Sequence, residues 1–321
     1  MIGNVDSNTF MNDSLPAVIL GRWAALLLLF TTPAYAKLNV VVTTADLAAL
    51  AHEIGDDHIS LLTLAKPTED PHFVDPKPSF IAKLNRADAL IEGGAELEIG
   101  WLPPLLEGAR NAKLAPGSPA VVLASDGIKL LGAPATLDRS RGDVHAMGNP
   151  HFVVDPVNAQ IVAQHIAEAF AKLDPSNGQI YRANLARFSK QLDEKLRDWQ
   201  AALKPFQGAR VVAYHDMWPY FGERFGLKID MFLEPKPGIP PSPSHLAEVI
   251  ARMKQDHAKV IILEPYQNRR TADSVAEATG ATVLPLTQFP GGIKGTEQGY
   301  IEMVGYIVQS LAKALAASGS H

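Results

Sequence analysis

The sequence predicts an α/β fold of two lobes, each holding a mostly parallel four-stranded sheet flanked by helices, joined by one long rigid helix. Three observations predict it. Short β-rich runs alternate with stretches of helical spacing, the alternation is written once in each half, and a single apolar stripe fills the stretch between the halves. Composition agrees, because 321 residues with 47% apolar and 20% charged side chains suit two globular domains rather than a disordered chain.

In the first half, LNVVVTT (38–44), HISLLTL (58–64), ADALIEGG (87–94) and PAVVLAS (119–125) read as strands. ADLAALAHEIG (45–55) has helical spacing and a glycine stop, SFIAKLNRA (79–87) is a second helix, and ELEIGWLPPLLEGAR (96–110) a third, interrupted by Pro103-Pro104. The second half repeats the scheme. ARVVAYH (209–215), KIDMFLE (228–234), KVIILEP (259–265) and ATVLPLT (281–287) are strands, and PYFGERFG, SHLAEVIARMKQ, ADSVAEATG and GYIEMVGYIVQSLAKAL are helices. Strands separated by helices imply parallel sheets covered on both faces.

Between the halves, Tyr181, Leu185, Phe188, Leu192, Leu196, Trp199 and Leu203 recur three or four positions apart. That is one apolar face on a helix over about 175–204, on the order of 45 Å long at 1.5 Å per residue. Such a helix acts as a stiff spine and limits hinge closure. The expected boundaries are an N-terminal lobe at 37–174, a linking helix at 175–205 and a C-terminal lobe at 206–321.

Residues 1–36 read as an export signal. Arg22 precedes the apolar run WAALLLLF (23–30), and Ala34-Tyr35-Ala36 supplies an A-x-A cleavage site, with Met11 as an alternative start. The run is short for a bilayer span and no stop-transfer pattern follows. A net charge of −5, or −4 once Asp6, Asp13 and Arg22 are removed with the signal, offers no basic stripe for nucleic acid. The chain has no cysteine, hence no disulfide framework, no thiolate metal ligand and no thiol for a lipid anchor. Any site for a borderline-soft metal must use histidine and carboxylate. These features predict a free periplasmic protein and a monomer.

Pro-His-Phe-Val occurs twice, in DPHFVDP (70–76) and NPHFVVDP (149–156). His72 follows a strand, where ligands gather in open α/β sheets, and Pro71 stiffens the approach. His151 is held likewise by Pro150, and Asp155-Pro156 then opens a helix as N-cap and first residue. The aromatic and the valine after each histidine are expected to anchor the loop. As plain turn motifs, the two stretches would leave their histidines exposed and idle. His215 ends the first strand of the second lobe and faces the same boundary. Three neutral imidazoles meeting there suit Zn²⁺ in tetrahedral geometry. Glu264, closing VIILEP, is the first candidate for a fourth ligand, although it could equally cap a loop or pair with Arg269 or Arg270. His52, His165 and His257, in or near helices, and His58, His245 and His321 are left aside as ordinary histidines.

DPHFVDPKPSF (70–80), GDVHAMGNPHFVVDP (142–156), the 175–204 helix, VVAYHDMWPYF (211–221) and EPKPGIPPSPSHL (234–246) stand in one order along the mature chain. Together they resemble the zinc- and manganese-binding solute-binding proteins of ABC importers. The resemblance implies a metal held by His72, His151 and His215, with Zn²⁺ as cargo and Mn²⁺ as the alternative. Histidine at the third position is similar to zinc carriers, where manganese carriers tend to have glutamate. It also implies delivery to an inner-membrane ABC permease. The chain departs from the family pattern after the last strand, where no acidic residue stands near Pro285. That leaves Glu264, Glu69, Asp70 or a water as the fourth ligand. Zinc carriers often have a histidine-rich loop before the second ligand. Only His145 remains of it here, with Asp138 and Asp143 nearby, so the 137–148 loop is either a weak metal-capturing or partner-contact segment or an ordinary surface loop.

Three histidines and a water is also the ligand set of a catalytic zinc. Nothing here resembles HExxH, however, and no second carboxylate is placed as a general base. A carrier needs only the site and a partner surface. Because imidazolium must lose its proton to bind, carrier affinity is expected to fall as pH drops through about 6.5.

Overall fold

Each of the eight β-rich runs forms a strand. They are β1 (Leu38–Val42), β2 (Ile59–Thr63), β3 (Ala89–Glu92), β4 (Val121–Leu123), β5 (Arg210–Ala213), β6 (Lys228–Phe232), β7 (Val260–Leu263) and β8 (Thr282–Pro285). The computed structural model describes residues 37–133, 145–236 and 238–319. The stretch 1–36 that reads as an export signal, positions 137–144 of the loop with Asp138 and Asp143, Pro237 and His321 lie outside the described residues.

The strands make two four-stranded sheets with the same layout, β2-β1-β3-β4 and β6-β5-β7-β8, and every pairing is parallel. The inner strands are apolar on both faces, as parallel sheets covered by helices require. Val40, Val42 and Ile91 face one core while Val41 and Leu90 face another, the alternation expected of a pleated strand. In the second lobe Val211 and Ala213 face one way and Val212 the other.

Nine α-helices accompany the sheets among the described residues: α1 (Ala45–Gly55), α2 (Pro78–Arg86), α3 (Leu102–Ala109), α4 (Pro156–Leu173), α5 (Gly178–Leu203), α6 (Pro219–Phe225), α7 (Pro243–Gln255), α8 (Arg269–Thr279) and α9 (Tyr300–Ala317). The helix expected over 96–110 is only α3, beginning at Leu102. Pro103 and Pro104 do not interrupt a longer helix but sit in its first turn, where a missing N–H costs nothing. Ala95 and Glu96 before it have φ of 50° and 67°, so the chain turns there instead of coiling.

The linking stretch is a short 3₁₀ turn at Pro175–Asn177 followed by α5. Tyr181, Phe188, Leu192, Trp199 and Leu203 of the stripe are buried, with Leu185 and Leu196 partly so. α5 lies between the lobes and packs on α1 and α4 of the first and α9 of the second. Asn184 Nδ2 donates to the Ile54 carbonyl at 2.9 Å, and the Phe188 and Tyr300 rings meet at 6.3 Å. One apolar cluster therefore runs from the first sheet through α4, α5 and α9 into the second sheet. Tyr300 Oη, donating to the Val153 carbonyl at 2.6 Å, ties the lobes again.

Candidate metal centre

All the candidate residues lie beyond the carboxyl ends of strands, so the two parallel sheets aim their loops at one region. His72 follows β2, His145 and His151 follow β4, His215 follows β5, Glu234 follows β6 and Glu264 follows β7. The strand before His215 ends at Ala213, two residues earlier than expected, which leaves His215 in an irregular turn.

The doubled motif has a local cause. Asp70 Oδ1 accepts the amide of His72 at 3.0 Å, and Asn149 Oδ1 accepts the amide of His151 at 3.0 Å. Each Asx side chain thus mimics a backbone turn across the proline and fixes the histidine two residues on. Trp101 Nε1 holds the Pro71 carbonyl at 2.8 Å. Asn149 also reaches the second lobe, donating to the Asp216 carbonyl at 2.7 Å, while its own carbonyl accepts from Tyr220 Oη at 2.7 Å. Asp155 caps α4 through the Val157 amide at 3.0 Å, as its position before Pro156 predicts, and also binds Arg224 at 2.7 and 2.8 Å.

The valines behave as expected, since Val74 and Val153 are both buried. The aromatics do not match. Phe152 is fully buried and anchors its loop, whereas Phe73 is 61% exposed and does not. Phe152 packs into the continuous core and against Tyr220, with ring centroids 6.3 Å apart. Phe73 has no core behind it.

The ligand atoms offered by His72, His151 and His215 all lie within 4.8 Å of one another. Two nitrogens each bound at about 2.1 Å to one ion stand at most about 4.2 Å apart, so a separation of this order suits a shared ion. The rings pair at 5.0, 5.5 and 5.5 Å between centroids. Outer-shell carboxylates orient two of them: Asp70 Oδ1 stands 2.8 Å from His72 Nδ1, and Glu234 Oε2 stands 2.8 Å from His215 Nδ1. With Nδ1–H donated to a carboxylate, the lone pair of Nε2 points away, toward a metal. The Nε2 atoms of His72 and His151 are buried with no hydrogen-bond partner.

Glu264 is not in the three-histidine group. Its carboxyl is wholly buried, with Oε1 accepting the Gln288 amide at 3.1 Å and Oε2 unpartnered. Burial raises its pKa well above the usual range, against the pull of Gln288 and Thr287 and with help from the Asp70 charge. Burial also pushes His151 well below its ordinary value, as do His72, His215 and His145. Burial alone would raise the pKa of Asp70, but its hydrogen bond and charge contact with His72 hold it below the ordinary value, and His215 adds to the effect.

His145 is the residue that sequence reasoning undervalued. Its ring stacks on that of His72 at 5.3 Å between centroids, and its Nε2 is buried without a partner. Burial first, then His72 and His215, push its pKa down to about 4. The signals in the sequence were its place six residues before His151 and its position in the 137–148 loop.

The space beside His72 and His215 is small. A cavity of about 30 Å³ is lined by Asp70, His72, Phe73, His215, Glu234, Gly238 and Gln267. That admits an ion or a water, far below the about 300 Å³ at which organic-ligand pockets begin. A larger cleft at Arg210, Lys228, Asp256 and Lys259 opens at the opposite, amino ends of the second sheet's strands and has no part in this site.

Comparison with known proteins identifies the family of the chain. The family model described as zinc-uptake complex component A, periplasmic, matches residues 40–314. The manganese ABC transporter substrate-binding lipoprotein PsaA of Streptococcus pneumoniae is 23% identical over 286 residues, covering 87% of this chain and 89% of its own length. The high-affinity zinc uptake system protein ZnuA of Bacillus subtilis is 25% identical over 287 residues, covering 87% and 88%. Among solved structures, a crystal structure of ZnuA superposes with a TM-score of 0.73 at 24% identity, over 87% of this chain and 99% of that one.

Proposed function

Because the chain belongs to the zinc-uptake complex component A family, metal-binding components of ABC importers rather than enzymes, we propose that it captures Zn²⁺ between its lobes and delivers it to an inner-membrane permease. The single observation that carries this reading is the convergence of His72, His151 and His215 within 4.8 Å, from loops of both lobes. Neutral imidazole suits Zn²⁺, whereas Mn²⁺ prefers oxygen ligands. No carboxylate joins the three histidines in the close group among the described residues.

His72, His151 and His215 bind the ion, and Asp70 and Glu234 compensate its charge from the outer shell. Glu264, wholly buried and bonded to the Gln288 amide, stays outside the ligand set. We place the protein in the periplasm as a soluble monomer released from the 1–36 signal, with lobes at 37–174 and 206–321 about the 175–205 linker. Manganese is the second reading, favoured by similarity to a relative named for manganese.

A competition decides between them. The purified protein is stripped by chelator, offered equimolar Zn²⁺ and Mn²⁺, and weighed by native mass spectrometry. One retained zinc, lost in His215→Ala, is the expected result. Preference for manganese overturns the zinc assignment, and no retained metal overturns the carrier reading.

A further inference from the structure

We infer that His145 supplies the fourth imidazole to the metal, so that the ion sits in an all-histidine, closed tetrahedral site; the inference rests on the carrier reading of that same site. Its ring lies 5.3 Å from that of His72 with 28° between the planes. That separation falls inside the 5.0–5.5 Å range of the pairings among the other three rings. Its Nε2 is buried and unpartnered, as are the Nε2 atoms of His72 and His151. Three bare nitrogens in one cleft point to a shared ligand, since buried polar atoms are otherwise satisfied.

The backbone around His145 is built to hold it there. Ala146 donates its amide to Glu96 Oε2, and the His145 carbonyl accepts the Gly148 amide at 3.3 Å. Gly148 has φ of +126°, and a Cβ there would stand 2.8 Å from the Leu131 carbonyl. Asn149 then pairs its amide with that same carbonyl at 2.7 Å. Only glycine passes this point, and the pass delivers His145 onto His72.

His145 stands outside the group whose ligand atoms lie within 4.8 Å, so its ring moves inward to complete the set. Four imidazoles leave no position for water, and a zinc without an open position performs no hydrolysis. They also present no oxygen to Mn²⁺. His145 therefore adds to the preference for zinc that the other three imidazoles set.

X-ray absorption on the zinc-loaded full-length protein counts the rings, because imidazole scatters from beyond the first shell. The expected result is four imidazoles at about 2.0 Å in the wild type and three plus one oxygen in His145→Ala. Zinc affinity in the variant falls by no less than the about 10- to 100-fold typical of an outer-shell partner, and Mn²⁺ competes better. Three imidazoles and an oxygen in the wild type overturn the inference while leaving the carrier intact. A wild type that retains no zinc removes the carrier reading and this inference with it.

Discussion

Glu234 Oε2 stands 2.8 Å from His215 Nδ1, so a carboxylate at the exit of β6 fixes the tautomer of an imidazole at the exit of the neighbouring β5. Asp70 does the same for His72 from two residues away. Removing either carboxylate frees the ring to turn and lowers its basicity. Glu234→Gln and Asp70→Asn should each weaken zinc binding by about 10- to 100-fold, read by competition against a fluorescent chelator. An unchanged affinity would place these carboxylates outside the metal's influence.

Loss of a ligand itself should cost more. His72→Ala, His151→Ala and His215→Ala are expected to lose zinc beyond that about 10- to 100-fold range, while far-ultraviolet circular dichroism of the metal-free proteins stays that of the wild type. If the metal-free variants unfold instead, the histidines are structural.

The acid limb of metal-free stability belongs to the buried histidines. His145, with its folded pKa near 4, and His151, well below its ordinary value, refuse protons that the unfolded chain accepts from about 6.5 downward. The unfolded state therefore binds more protons, and stability is lost as pH falls from about 6.5 toward 4. His145→Gln should flatten part of that loss in urea titrations at pH 6.5 and 4.5. An identical slope in the variant would contradict the burial of this ring.

Glu92 works in the opposite direction. Burial first, and then the Glu98 charge, raise its pKa to about 7. Its contribution is present below the unfolded value of 4.5 and is lost as pH rises through about 7. Glu92→Gln should thus gain on the wild type between pH 5 and pH 8, read as the urea midpoint at each pH. A constant difference between the two proteins would refute the shift.

Asp155 joins two duties, capping α4 and pairing with Arg224 of the second lobe. Asp155→Ala should destabilise the fold by at least the about 0.5–2 kcal/mol of a lost cap. Asp155→Asn, which keeps the cap, should recover most of the loss if the ion pair matters little. Equal damage in both variants would assign the effect to Arg224.

The strands and the spine were legible because both rest on local periodicity. Val40 to Val42 and Tyr181 to Leu203 announce their faces without help from elsewhere. Pro103-Pro104 misled because a proline pair reads as a break from sequence, while only the chain's direction just before it reveals a helix start. His72, His151 and His215 were visible through rigid flanking prolines or a strand end. Glu234 was not, since nothing in the chain says that the exit of β6 lies beside that of β5 until the sheet order is known. Phe73 and Phe152 share identical neighbours, yet tertiary packing buries only one. Glu264 drew attention by its place at a strand end, a place that also suits a buried carboxyl bonded to the next loop.

The absence of cysteine gains a meaning from the site's geometry. His72 and His215 belong to different lobes, and an ion that both hold closes a long chain loop as a covalent cross-link would. At free metal about 100 times the dissociation constant, such binding would add about 2.7 kcal/mol of stability. Cargo bound in this way would be a removable staple, indifferent to thiol oxidants. A melting curve of the protein would then read out how much of it is loaded.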